Sequence, residues 1–150
     1  MQVADSLTHG GFMKHTTLIA GSSGGMIGAA YYRELVNLCN QGNHIPRNNP
    51  AYYHNISKDL LNPVAFTIAT NDWFLPIRTI KVNGKSLPKD RGYAFEEKLN
   101  ENTSNILDVP LSYYTQAEKN AEIPMMVFSP VIINDGRKLI VSSQGVSYLT

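Results

Sequence analysis

The chain has 150 residues, with 13 Lys and Arg against 12 Asp and Glu, a formal net charge of +1. That length buries one sizeable core, and a near-neutral, evenly spread charge excludes a partner gripped through its phosphates, nucleic acid above all. Cys39 is the single cysteine, which excludes an internal disulfide and any CxxC metal or redox site and fits a reducing compartment.

In chain order, Met1 to Leu7 reads as a helix tail with Val3, Ala4 and Leu7 on one face. Thr8-His9-Gly10-Gly11 breaks it, and His15 to Ala20, β-branched and apolar, reads as a buried strand. Glycines follow. Met26 to Cys39 then places Ile27, Ala30, Tyr31, Leu35 and Leu38 at helical spacing, the clearest helix in the chain. Gln41 to Asn55, with Pro46 and Pro50, is expected to be an exposed loop. Ser57 is a helix-cap candidate for Lys58 to Leu61, and Val64 to Ala69 either extends that helix past Pro63 or forms its own element. Trp73-Phe74-Leu75 is an apolar patch, read as core or as a lipid-facing cap. Thr79 to Val82 with Asn83-Gly84 suggests a short hairpin. Tyr93 to Leu99 and Leu111 to Ala121 carry helix character. Met125 to Ile133, Asn134-Asp135-Gly136 and Arg137 to Ser142 read as a β-hairpin around an Asp-Gly turn. No apolar run reaches the roughly 18 residues of a membrane span, and no charged start precedes an apolar block, so a soluble, cytoplasmic chain is expected.

The motif with chemical content is Gly21-Ser22-Ser23-Gly24-Gly25. In a G-x-S-x-G turn a serine sits at the tip of a tight strand-to-helix bend, and the flanking glycines remove clashes. The N–H of Gly24 and the positive end of the next helix then face the place where an oxyanion would form above Ser23. A β-branched strand before Gly21 and an amphipathic helix after Gly25 supply the required setting. The competing reading is a helix-start anion site. A Walker A loop would need Lys-Ser or Lys-Thr after its last glycine, and G-x-G-x-x-G cannot be laid on Gly21, Gly24, Gly25 and Gly28. A Ser-Asp-His order also fails: only His44 and His54 follow Ser23, with Glu34 the one carboxylate between.

Ile19-Ala20-Gly21-Ser22-Ser23-Gly24-Gly25-Met26-Ile27-Gly28-Ala29-Ala30-Tyr31 resembles the elbow of the patatin-like phospholipases. The likeness covers about residues 16 to 35 and implies an α/β fold of three α/β/α layers, here partial, with a strand–elbow–helix core and a C-terminal β-hairpin. It implies a single acyl hydrolase domain over 1–150 that continues past both ends. It further implies lipid acyl-ester hydrolysis through a Ser-Asp dyad, with no metal or organic cofactor, a lipid or phospholipid as substrate and peripheral membrane contact. The family's upstream D-G-G-x-x-R-G segment has no counterpart: His9-Gly10-Gly11-Phe12 lacks the leading Asp and the Arg and is read as a helix-to-strand turn. Its downstream D-G-G or D-G-A aspartate has one candidate, Asp135, where Arg137 replaces the small third residue. Asp135 thus has two readings, dyad base and hairpin turn. The alternative to the enzyme is a catalytically silent fragment that binds lipid or a protein partner. His9, His15, His44 and His54 lack metal-ligand spacing and read as surface residues, and Cys39 reads as a packed small residue.

Overall fold

The computed structural model describes residues 1–47, 49–72, 79–82, 84–132 and 134–147. The patch Trp73-Phe74-Leu75, the turn residue Asn83, Ile133 and the last three residues lie outside that set. The chain is mixed α/β, and its contacts gather into two compact units, residues 1–49 with 107–150, and residues 50–106.

The first unit is built around one helix. Strand β1 (Leu18–Gly21) leads into helix α3 (Ser23–Asn40), preceded by helices α1 (Gln2–Leu7) and α2 (Gly11–Lys14). Helix α7 (Thr115–Lys119), entered through a 3₁₀ turn at Leu111–Tyr114, and strands β4 (Met125–Phe128) and β5 (Val141–Ser142) complete the unit. The sheet order is β1-β4-β5, with β1 and β4 parallel and β4 and β5 antiparallel. Ile19 and Phe128 pack on Met26, Ala29 and Met126, so one sheet face rests on the start of α3. The other face of β1 is open. Leu18 is 48% exposed, so the strand expected to be buried is only half-buried, on alternate residues. Its apolar run fixed a strand but not how many neighbours cover it.

Seven consecutive residues of α3, Tyr31 to Asn37, are buried. A helix covered on every side must hold most of its polar side chains in partnerships; among the described residues the Arg33 Nε is a buried exception. Asp5 on α1, itself buried, accepts from the Met13 N–H at 2.9 Å and from the Tyr32 hydroxyl at 2.8 Å. Burial first, then the Asp5 hydrogen bond, push the Tyr32 hydroxyl well above the usual tyrosine range. The expected apolar face of α1 is therefore not its packing face: Val3 and Leu7 are exposed, and Asp5 is what turns inward.

The second unit holds α4 (Pro50–Ile56), α5 (Leu61–Thr67) followed by a π-helical turn at Ile68–Asp72, the antiparallel pair β2 (Thr79–Val82) and β3 (Lys85–Pro88), and α6 (Arg91–Asn102). The stretch from Gln41 expected to be loop contains α4, because Pro50 occupies its first helical position, where a missing N–H leaves no bond unmade. No helix forms over Lys58 to Leu60, and the Ser57 hydroxyl donates back to the His54 carbonyl instead of capping; α5 starts at Leu61, and Asp59 Oδ1, one residue before the Leu60 cap position, accepts from the N–H groups of Leu61 and Asn62. Asp90 is itself the N-cap of α6 and accepts from the N–H groups of Gly92 and Tyr93.

Helix α7 ends with Ala121 at φ 55°, where the Glu122 N–H returns to the Ala117 carbonyl at 2.9 Å. This is the left-handed closing position that glycine fills best. Ala121→Gly is expected to raise stability by about 0.5–1 kcal/mol, because Ala121 is exposed and loses no packing. A urea titration reads it, and an unchanged or lower midpoint would count against the strain.

Candidate active site

Strand β1 ends at Gly21, in register with Phe128 of β4, and the Gly21 carbonyl accepts from the Ser129 N–H at 2.9 Å. A Cβ on Gly21 would lie 3.2 Å from Met26 Cγ and 3.3 Å from its Sδ, so a side chain here would make Met26 give by a few tenths of an ångström. Ser22 is extended, at φ −146° and ψ 173°. Ser23 then turns sharply, at φ 61°, a conformation that L residues with side chains avoid. The chain enters α3 at that residue, and no side chain caps the helix. Ser23, Gly24 and Gly25 are exposed. Unbonded N–H groups at the start of an 18-residue helix and an exposed serine at its tip thus occupy one spot.

The elbow departs from expectation in one respect. Only Gly21 is closely approached, by Met26; a Cβ on Gly24 or Gly25 meets nothing within 4 Å. The crowding expected after the serine is absent here because that side of the turn faces solvent. Gly24→Ala and Gly25→Ala are each expected to stabilise α3 by up to about 1 kcal/mol, the usual helical advantage of alanine. Thermal denaturation of the two variants checks this, and a fall in midpoint would reveal a neighbour on that side.

Two buried or half-buried carboxylates of this unit are engaged well along α3: Asp5 bonds to Tyr32 and Glu118 to Arg33. These partners lie nine and ten residues after Ser23, about 14 Å or more along α3 at the helical rise. Asp135 sits where the hairpin turns, with Val131 and Lys138 bridged across it. Its Oδ1 accepts from the Arg137 N–H at 3.0 Å, and its Oδ2 accepts from Arg137 Nε at 2.6 Å. Those bonds hold its carboxyl below the usual range. Among the described residues the Ser23 hydroxyl has no hydrogen-bond partner, so the structure does not join Ser23 to Asp135. The four histidines are exposed, and Cys39 is half-buried with its thiol directed to the Ile45 carbonyl at 3.2 Å.

The residues that sequence reading missed form a buried network around the far half of α3. Arg33 Nη1 donates to Glu118 Oε1 at 2.5 Å and to the Pro124 carbonyl at 3.1 Å, and its guanidinium stacks on the Tyr114 ring at 4.1 Å. Ser143 and Gln144 donate to the other oxygen of Glu118. Glu34 accepts from Asn37 Nδ2 at 3.1 Å and from Tyr114. Adjacent charges on a helix carry no sequence signal of burial. The nearest hint was the 85-residue separation of two opposite charges on helical segments, which is no signal by itself.

Burial raises the Glu34 carboxyl above its ordinary 4.5, against the Asn37 and Tyr114 hydrogen bonds and the nearby Arg33 charge. The folded chain therefore holds that proton more tightly than the unfolded chain. The contribution favours folding below the ordinary carboxyl range and is lost as pH rises through the raised folded pKa. Glu34→Gln keeps the hydrogen-bonding shape without the charge, so its stability relative to the parent is expected to improve from about pH 4 to pH 8. Denaturation curves at several pH values decide; a constant difference would remove Glu34 from the pH dependence.

Among the described residues no helix is long and apolar enough to cross a membrane. Compared with family models, curated proteins and solved structures, the chain matches none.

Proposed function

We propose that this chain carries the nucleophile of a patatin-like serine acyl hydrolase acting on phospholipid or another lipid ester. The observation that carries the reading is the backbone of Ser23: a residue with a side chain held at φ 61°, exposed, between a strand and a helix. Strain of this kind persists where the surroundings demand it, and a serine lifted to the tip of such a turn is accessible to an ester carbonyl. Ser23 Oγ attacks the carbonyl carbon as its proton passes to a base, and the oxyanion is met by the Gly24 N–H and the start of α3. The alcohol leaves with a proton, an acyl-enzyme remains, and water releases the fatty acid.

In the dyad reading Asp135 is the base. It is carried on the hairpin that leaves β4 at the elbow end of the sheet, and it must exchange Arg137 for the serine before it can act. The three-layer fold, a cytoplasmic location and peripheral contact with lipid belong to the same proposal. The Arg137 clamp on Asp135 favours the second reading, a catalytically silent fragment that binds lipid or a protein partner.

Fluorophosphonate labelling of the purified chain separates the two. Labelling that disappears in Ser23→Ala and falls in Asp135→Asn supports the dyad. No labelling of the folded chain supports the silent fragment, and labelling that survives Asp135→Asn moves the base elsewhere.

A further inference from the structure

The turn His9-Gly10-Gly11, between α1 and α2, lines a cavity of about 600 Å³ that Asn40, the last residue of α3, also lines, so it lies at the opposite end of that helix from Ser23. Met13 and Val36, both buried, give the cavity an apolar part, and His9, Lys14, His15 and Arg47 stand around it. An adjoining cavity of about 410 Å³ shares His9, Gly10 and Arg47. Neither glycine has a side chain to fill this space. A Cβ on Gly10 would lie 3.7 Å from Arg47 Nη1, and one on Gly11 would lie 4.0 Å from His15 Cδ2, so a guanidinium and an imidazole lean over adjacent bare backbone.

The carboxylates here are engaged and the cations are largely not. Asp5 accepts from the Met13 N–H and the Tyr32 hydroxyl, and Glu122 Oε1 accepts from Asn120 Nδ2 at 2.8 Å. The Arg47 backbone is tied down through its carbonyl, which accepts from Gln2 Nε2 at 2.9 Å, while its Nη1 lies 3.6 Å from Asp5 Oδ2. That is one ion pair for a group with five N–H donors. Among the described residues the Arg47 guanidinium makes no hydrogen bond, and neither do the Lys14 ammonium or the His9 and His15 rings. The near-neutral total charge argues against a polyanion gripped along a surface, but a single phosphate answers only to the charges that meet it.

We infer that this cavity binds a small phosphomonoester, with its terminal oxygens met by Arg47, Lys14 and the two histidines and its organic body lying toward Met13 and Val36. A carboxylate offers two oxygens in one plane and a single charge. Donors that arrive from the α1–α2 segment and from the loop after α3 suit a tetrahedral group with three free oxygens and nearly two charges better. The cavity owes nothing to Ser23, so it stands or falls apart from the hydrolase reading.

Titration of the full chain with phenyl phosphate, followed by amide chemical shifts, tests this. The Gly10, Gly11 and His15 amides are expected to move. Arg47→Gln and Lys14→Met are each expected to weaken binding about ten-fold or more, the scale of losing a hydrogen bond to a charged group, while Lys138→Met, on the hairpin, changes nothing. Lys14 is exposed, so its variant keeps the fold even if loss of Arg47 disturbs Asp5. Phosphatidylcholine vesicles with added phosphatidic acid identify the source of the phosphate. If they too bind through Arg47 and Lys14, it is a lipid headgroup; if only phenyl phosphate does, it is a soluble ester. No binding of phenyl phosphate, binding that both variants leave intact, or benzoate bound as tightly would each overturn the inference.

Discussion

Arg33→Met is expected to lower folding stability by about 3–5 kcal/mol, the loss found when one partner of a buried ion pair is removed. Arg33 and Glu118 are each 2% exposed in their side chains. Methionine fills most of the volume but leaves Glu118 charged in the interior, with only Ser143 and Gln144 to bond it, and leaves the Pro124 carbonyl without the guanidinium donor. The effect belongs to the orphaned charge, so Arg33→Met with Glu118→Leu should recover much of the loss. Arg33→Lys should fall between: an ammonium reaches Glu118, but the flat stack on Tyr114 goes. Urea denaturation of the three variants measures this, and a single-variant loss under about 1 kcal/mol would mean that the pair is screened by water.

The second large effect is at Ser23, where stability and reactivity should move in opposite directions. Ser23→Gly removes both the hydroxyl and the side chain that make φ 61° costly. Stability should rise by about 1 kcal/mol, the scale of relieving one left-handed residue, while fluorophosphonate labelling should fall at least about 100-fold, to background. Ser23→Ala should lose the same labelling without the gain, since its Cβ keeps the strain. If both variants are equally stable, the serine is not strained. If labelling persists in either, the attacking residue is another one.

The parts of this chain that reading along it could reach are those written in near neighbours. Gly21 to Gly25 between an apolar β-branched run and a helical apolar repeat gave the strand, the turn and α3, and the structure begins the helix at Ser23 itself. Asn134-Asp135-Gly136 gave the hairpin turn, because its geometry is set by three residues. The Asp59 bonds at the start of α5 and the α4 helix were not legible, since Ser57 and Asp59 are both good caps and Pro50 both forbids and initiates helices depending on position. The buried face of α1 was misread for the same reason: Val3 and Leu7 obey helical spacing, but Asp5 is the residue that finds partners, Tyr32 and the Met13 N–H, in other elements.

What the sequence determined by itself was therefore local: a serine on a sharp turn between an apolar β-branched strand and a helical repeat, and an Asp-Gly hairpin after β4 whose turn uses the backbone freedom of Gly136 at φ 71°. Tertiary structure alone decided the rest. It set β1 in parallel beside β4, so that the elbow after β1 and the hairpin after β4 leave the sheet from the same end. It gave both carboxylate oxygens of Asp135 to hydrogen bonds from Arg137, and it enclosed Arg33, Glu34 and Glu118 around the far half of α3. Those outcomes depend on which distant residues meet, and a charge is satisfied by a partner in space, not by one near it in sequence.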